Sequence, residues 1–94
     1  MSISIIIPCF NSEKYILKNI EKLQKVIQKT NQQYEIIIID DDSKDNTYEI
    51  INKFYLKNKN IKTFKNNHNK GKSFSLIKGI KRSKFKKIII IDSD

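Results

Sequence analysis

Two uninterrupted isoleucine runs, Ile36 to Ile39 and Ile88 to Ile91, narrow the folds open to this chain more than any other feature. Isoleucine is β-branched and favours strands. A strand with no polar alternation needs cover on both of its faces, which parallel sheets flanked by helices provide. The two runs predict strands over Glu35 to Asp40 and Lys87 to Asp92, and Ile3 to Pro8 and the weaker Ile61 to Lys65 read as two more.

The intervening segments carry helical periodicity. Ile16, Ile20, Leu23 and Ile27 recur at steps of four, three and four, opposite Lys18, Glu21, Lys22, Lys25 and Lys29. That spacing predicts an amphipathic helix from Glu13 to about Lys29. A second helix is expected near Asn46, with Asn46 as its cap, Glu49 three residues on, and Ile50, Ile51, Phe54 and Tyr55 buried. A third is expected over Lys72 to Arg82 with Phe74, Ile77 and Ile80 turned inward. The order β-α-β-α-β-α-β implies right-handed crossovers and an α/β fold, a mainly parallel sheet in a Rossmann-like three-layer α/β/α arrangement. In open sheets of this kind ligands bind beyond the carboxyl ends of the strands, so the residues just after each apolar run matter most.

Charge discounts one function class, and cysteine content excludes others. The formal net charge of +9 invites a polyanion reading, but only one of the 19 basic residues, Arg82, is an arginine. Arg is the residue favoured for bidentate phosphate and base recognition. The lysines are also spread along the chain, and Ile, Lys and Asn are jointly abundant, as an AT-rich coding sequence would produce. No nucleic-acid partner is expected. Cys9 is the single cysteine, which excludes an intramolecular disulfide and a cysteine-based metal site and fits a cytoplasmic setting. It reads as a small buried hydrophobe. No apolar stretch reaches the roughly 18 to 20 residues of a membrane span.

The polar residues that follow the predicted strands are unusual. Pro8-Cys9-Phe10-Asn11-Ser12 follows the first, Asp40-Asp41-Asp42-Ser43-Lys44-Asp45 the second, and Asp92-Ser93-Asp94 the fourth. Six of the ten acidic residues fall in the last two segments, a concentration that repulsion opposes unless a cation or hydrogen-bond donors compensate it. Asp92 and Asp94 alternate on an extended chain and so share a side. Such hard oxygen ligands suit Mg²⁺ or Mn²⁺, completed by water and substrate phosphates. Taken alone, D-x-D is equally compatible with two aspartates ending a strand in a solvated turn.

Three segments together resemble family 2 glycosyltransferases of the GT-A type. Ile3 to Glu13, with Pro8, Phe10 and Asn11, is similar to that family's opening strand. Tyr34 to Thr47 resembles its second strand and Asp-Asp-Gly-Ser turn, and Asn69-Lys70-Gly71-Lys72 leading to Ile91-Asp92-Ser93-Asp94 resembles the approach to its D-x-D. The resemblance spans nearly the whole chain. It implies one nucleotide-sugar-binding domain over residues 1 to 94, a partial GT-A fold truncated after D-x-D, with Pro8 and Phe10 flanking the base and ribose. It further implies nucleotide-sugar contacts from Asn11, a backbone contact from Ile39, and Asp41 accepting a hydrogen bond from the base. Asp92 would meet the ribose, Asp92 and Asp94 would bind the metal, and Lys72 would add positive charge near the diphosphate, although by itself Lys72 is an ordinary solvated lysine.

The implied activity is metal-assisted transfer of a sugar from a UDP- or GDP-sugar to an acceptor. Any general base would lie beyond Asp94. The long first helix and Gly71-Lys72 lean toward dolichyl- or polyprenyl-phosphate sugar transferases, with a lipid phosphate acceptor at the cytoplasmic membrane face. The alternative is a non-catalytic or degenerate nucleotide-binding fragment. Two positions depart from the family pattern: Asp42 stands where glycine is common, and Ser12 where an acidic residue is common. Other families fit less well. A P-loop ending at Gly71-Lys72-Ser73 would need glycine at Asn66. A haloacid-dehalogenase-like phosphatase would open with its D-x-D, and a receiver domain would carry paired acids after its first strand.

Overall fold

The computed structural model describes residues 1–92, so Ser93 and the expected metal ligand Asp94 lie outside the described residues. The elements follow the expected order: β1 (Ser2–Cys9), α1 (Ile16–Gln28), β2 (Gln33–Asp40), α2 (Thr47–Tyr55), β3 (Ile61–Lys65), α3 (Lys72–Arg82) and β4 (Ile88–Ile90). All pairings are parallel, in the order β3-β2-β1-β4. Register is set along the apolar runs, with Ile5 opposite Ile36 and Ile89, and Ile36 opposite Ile61.

Alternation along the strands divides the isoleucines between two faces. On one, Ile3, Ile5, Ile7, Cys9, Ile36, Ile38 and Ile61 form a core with Ile16, Ile20 and Ile27 of α1 and Ile51 of α2. On the other, α3 lies against β1 and β2. Its approach is close enough that a Cβ added to Gly79 would stand 2.5 Å from Ile6 Cγ2. The three layers are therefore unequal, two helices on one face and one on the other.

Four local expectations are corrected. First, α1 starts at Ile16 and not at Glu13, because the Ser12 carbonyl accepts the Tyr15 and Ile16 amides in a preceding turn. Second, Asn46 precedes α2 but its side chain does not cap it. Asp45 does that work, its Oδ1 accepting the Thr47 amide at 3.0 Å and the Thr47 hydroxyl. Of the residues expected to be buried by α2, Ile51 is, Ile50 and Tyr55 are partly so, and Phe54 is 62% exposed.

Third, α3 turns Ser75 and Gly79 to the sheet and leaves Phe74, Ile77 and Ile80 exposed. Gly79 lies so close to Ile6 that a side chain there would clash, and Ser75 bonds the buried Asn66; these contacts outweigh the apolar stripe. Fourth, β4 is a short edge strand, so Ile89 and Ile90 remain exposed where cover on both faces was expected. Among the described residues no helix is long and apolar enough to cross a membrane.

A buried carboxylate ties the amino end of the sheet together. Glu35, 1% exposed, accepts from Ser4 Oγ at 2.7 Å, Lys62 Nζ at 3.0 Å and the Lys84 amide at 2.6 Å, while Ser4 Oγ in turn accepts the Phe85 amide. Burial works to raise its carboxyl, but the Lys84 amide, the Ser4 hydroxyl and Lys62 hold it below the ordinary range. These bonds anchor the segment entering β4 to β1 and β2.

Candidate functional site

At the carboxyl end of the sheet most of the acidic side chains are spent on building loops. Asp40 Oδ2 accepts the Ser43 amide at 3.0 Å and its Oδ1 accepts the Ser43 hydroxyl, which tightens the turn after β2. Asp45 holds the start of α2 and also accepts the Glu13 amide at 3.3 Å. Burial acts to raise the Asp45 carboxyl, and the Thr47 hydroxyl and amide with the Glu13 amide bring it below the ordinary range. Asp42 takes a left-handed backbone conformation, φ 57°, and lies 3.8 Å from Lys44 Nζ. Glycine is the usual residue in that conformation and aspartate one of the few others that tolerate it. The departure from glycine at this position is thereby accommodated.

Asn11 joins the first loop to the second. Its backbone is also left-handed, φ 51°, its amide donates to Ser43 Oγ at 2.8 Å and its Oδ1 accepts the Lys44 amide at 2.8 Å. Ser12 adds to the clasp, its amide donating to Thr47 Oγ1 at 2.8 Å. Loops from β1 and β2 are thus fixed to each other before any ligand arrives.

Asp41 is built in differently. It is 6% exposed and sits at the amino end of α3, where backbone amides and the helix dipole favour a negative charge. Oδ1 accepts the Lys70 amide at 2.8 Å and Asn66 Nδ2 at 2.8 Å, and Oδ2 accepts the Gly71 amide at 2.9 Å. Burial opposes its ionisation, but those donors and the nearby His68 hold the carboxyl below the ordinary range. Gly71 has φ 93°, which side-chain-bearing residues rarely adopt, and this conformation aims its amide at Asp41.

These loops enclose a cleft of about 120 Å³ lined by Pro8, Cys9, Phe10, Asp41, Lys72, Ser75 and Asp92. The structure therefore brings five expected site residues, Pro8, Phe10, Asp41, Lys72 and Asp92, to one place from the ends of β1, β2 and β4 and the start of α3. Phe10 presents a half-exposed ring, and Lys72 Nζ donates to Asp92 Oδ1 at 2.5 Å across the mouth. Asn11 stands beside this cleft in its loop clasp. Ile39 is fully buried in β2, registered with Pro8 and Phe64, and is not among the lining residues.

Three residues near the site were not anticipated. Cys9 lines the cleft, and burial together with Asp40, whose Oδ1 is 3.8 Å from Sγ, pushes its thiol far above the ordinary range, so it is no nucleophile. Ser75 lines the cleft from the small face of α3. Asn66, 1% exposed, bonds Asp41 and Ser75 together, Nδ2 to Ser75 Oγ at 3.0 Å. Asn66 follows β3 directly, so the rule that strand-end residues matter would have found it.

Among the described residues no cluster of three His, Cys, Asp or Glu side chains gathers to hold a metal ion, and of the two carboxylates lining the cleft only Asp92 is exposed. Asp92 is 63% exposed at the mouth and among the described residues is bonded through its side chain only by Lys72, whereas Asp40, Asp41 and Asp45 are committed to amides and hydroxyls. A hard cation that takes one or two protein carboxylates and completes its shell with phosphates suits such a donor.

Comparison with known proteins agrees with this architecture. The glycosyl transferase family 2 profile matches residues 4–94. S. aureus TarS in complex with UDP-GlcNAc superposes with a TM-score of 0.83 at 32% identity, covering 100% of this chain and 27% of that one. The dolichol-phosphate mannosyltransferase of Pyrococcus furiosus is 30% identical over 94 residues, 100% of this chain and 26% of its own length. The mannosyltransferase PcManGT from Pyrobaculum calidifontis, in complex with GDP-Man and Mn²⁺, shares the fold at TM-score 0.80 and 19% identity, over 98% of this chain and 27% of that one. The chain spans roughly a quarter of the length of these three compared chains, of which the TarS one comprises residues 1–349. With its four-stranded all-parallel sheet matching the amino-terminal part of the GT-A fold, the chain belongs to glycosyl transferase family 2.

Proposed function

We propose that the cleft at the carboxyl end of the sheet is the donor site of a sugar transferase and takes the nucleoside diphosphate of a UDP- or GDP-sugar. The observation that carries this reading is the meeting of Phe10, Asp41, Lys72 and Asp92 at one cleft, although they come from separate segments of the chain. Phe10 offers a face for the base, Asp41 a buried acceptor beside it, and Lys72 a cation that can leave Asp92 for a phosphate. The UDP-GlcNAc held by TarS supports a nucleotide sugar as the ligand.

Asp92, with Asp94, is proposed to hold Mg²⁺ or Mn²⁺ on the diphosphate, and PcManGT, whose structure contains Mn²⁺, lends support. When bound, the metal would neutralise charge on the leaving diphosphate. The residues of this chain would stack the base, order the loop at the start of α3 through Asp41, and place the Lys72 charge at the mouth. We further propose a lipid phosphate such as a polyprenyl phosphate as acceptor, at the cytoplasmic membrane face. The similarity to a dolichol-phosphate mannosyltransferase favours it. An ionised phosphate acceptor needs no general base.

Binding without transfer is the competing reading. Titration calorimetry with UDP and GDP, with and without MgCl₂, separates the outcomes when paired with a transfer assay from UDP-GlcNAc and GDP-mannose to polyprenyl phosphate. Metal-dependent binding with transfer supports the full proposal. Binding alone favours the competing reading, and no binding contradicts both.

A further inference from the structure

An ionised carboxylate has about four acceptor positions, two on each oxygen. In Asp41 three are filled by the protein: Asn66 Nδ2 and the Lys70 amide on Oδ1, and the Gly71 amide on Oδ2. One position remains, on Oδ2. The two amides belong to the loop backbone entering α3, where Gly71 has the φ of 93° that turns its amide to the carboxylate.

The third donor is a side chain fixed in one orientation. Asn66 is 1% exposed, its backbone amide donates to the Asp40 carbonyl at 2.9 Å, and its Nδ2 also reaches Ser75 Oγ at 3.0 Å. Its Oδ1 accepts from Lys78 Nζ at 3.1 Å. Reversing the amide would set its oxygen against the Asp41 carboxylate and its NH₂ group against the Lys78 ammonium. The orientation follows from those charges.

We propose that Asn66 is a specificity-determining residue: by filling Asp41 Oδ1 it restricts the cleft to bases with a single imide N–H, uracil or thymine, and excludes guanine. Guanine carries two adjacent donors, N1–H and the N2 amine, which pair with a carboxylate through both oxygens. With Oδ1 full, one of those donors enters the cleft unpaired, and leaving a buried donor without a partner is strongly disfavoured. Uracil places one N–H between two carbonyls and needs one acceptor. The inference rests on the donor-site reading and deepens it by choosing the base.

The test uses the whole chain and measures UDP and GDP affinity by calorimetry at one Mg²⁺ concentration, for wild type, Asn66→Ser and Asn66→Ala, with thermal melting alongside. Wild type is expected to prefer UDP by at least about ten-fold, the lower part of the penalty for one buried donor left without a partner. Opening one of the two Oδ1 positions in the variants, with the Lys70 amide still on the other, narrows the ratio by improving GDP relative to UDP. Equal or tighter GDP binding in wild type overturns the proposal, and so do variants that weaken both nucleotides equally, as a merely structural residue would. If the variants do not fold, the wild-type ratio still decides. Binding of neither nucleotide to wild type defeats the donor-site reading itself, an outcome distinct from binding with the wrong preference.

Discussion

Strand β2 carries a buried carboxylate at each end, and both receive three hydrogen bonds from the protein. Glu35, at the amino end, is paired with the Lys62 ammonium and takes its other bonds from Ser4 and the Lys84 amide. Asp41, just past the carboxyl end, makes no ion pair with a lysine or arginine side chain among the described residues and relies on Asn66 and the amides at the start of α3. Glu35 is closed off inside the fold, whereas Asp41 opens onto a cleft shared with Phe10, Lys72 and Asp92. The amino end of the sheet neutralises its charge with a fixed cation and is finished. The carboxyl end satisfies its charge with dipoles and keeps its cation, Lys72, on a movable side chain at the mouth.

Replacing either carboxylate should expose this division. Glu35→Ala leaves Lys62 and the Lys84 amide without their partner and is expected to cost about 3 kcal/mol of stability, toward the lower end for a broken buried pair because Lys62 is half-exposed. Urea unfolding measures the loss, and nucleotide affinity of the folded protein should not change. Asp41→Ala is expected to cost less, about 1–3 kcal/mol, since it strands amide donors and no cation. It should also abolish detectable UDP binding in calorimetry, which Glu35→Ala does not.

Acid should act on both ends together. The Glu35 and Asp41 carboxyls are held below their ordinary values of 4.5 and 3.8, so the unfolded chain binds protons first as the pH falls. Their contribution is fully present above those ordinary values and is lost as the pH drops through the lowered folded ones. The melting temperature should therefore be level near neutrality and decline below about pH 4.5, and the Glu35→Ala/Asp41→Ala double variant should show a shallower decline. The smallest stability effect is expected from Lys72→Ala. Its ion pair with Asp92 is more than half exposed on both sides, and such pairs contribute at most about 1 kcal/mol. Calorimetry should nonetheless show UDP binding weakened several-fold, with little loss for uridine.

What could be read in advance follows from the physics of each region. The Ile36 to Ile39 run carries the centre of the sheet because a strand buried on both faces tolerates little else, the second run forms the exposed edge strand, and the residues after the strands supply most of the cleft. Helix faces were less legible. In α1 the apolar stripe does face the sheet, whereas in α3 the small residues Ser75 and Gly79 do, because proximity to Ile6 outweighs the burial of Phe74, Ile77 and Ile80. The aspartate cluster was legible as a compensated concentration of charge, but not which donors compensate it. Ser43, Thr47 and the Lys70 and Gly71 amides do so through contacts that exist only once the loops have folded. Asn66 was within reach of the strand-end rule, whereas the role of Glu35 was not, because a lone polar residue beside an apolar run shows no sign of its burial.

The most direct test of the account is a titration of the ¹⁵N-labelled chain with UDP and MgCl₂, followed by amide chemical shifts. The division between the two ends predicts saturable shifts at Phe10, Asp41, Lys70, Gly71, Lys72 and Asp92, with Ser4, Glu35 and Lys84 unmoved. Shifts confined to the amino end of the sheet, or none at saturating nucleotide, would contradict it.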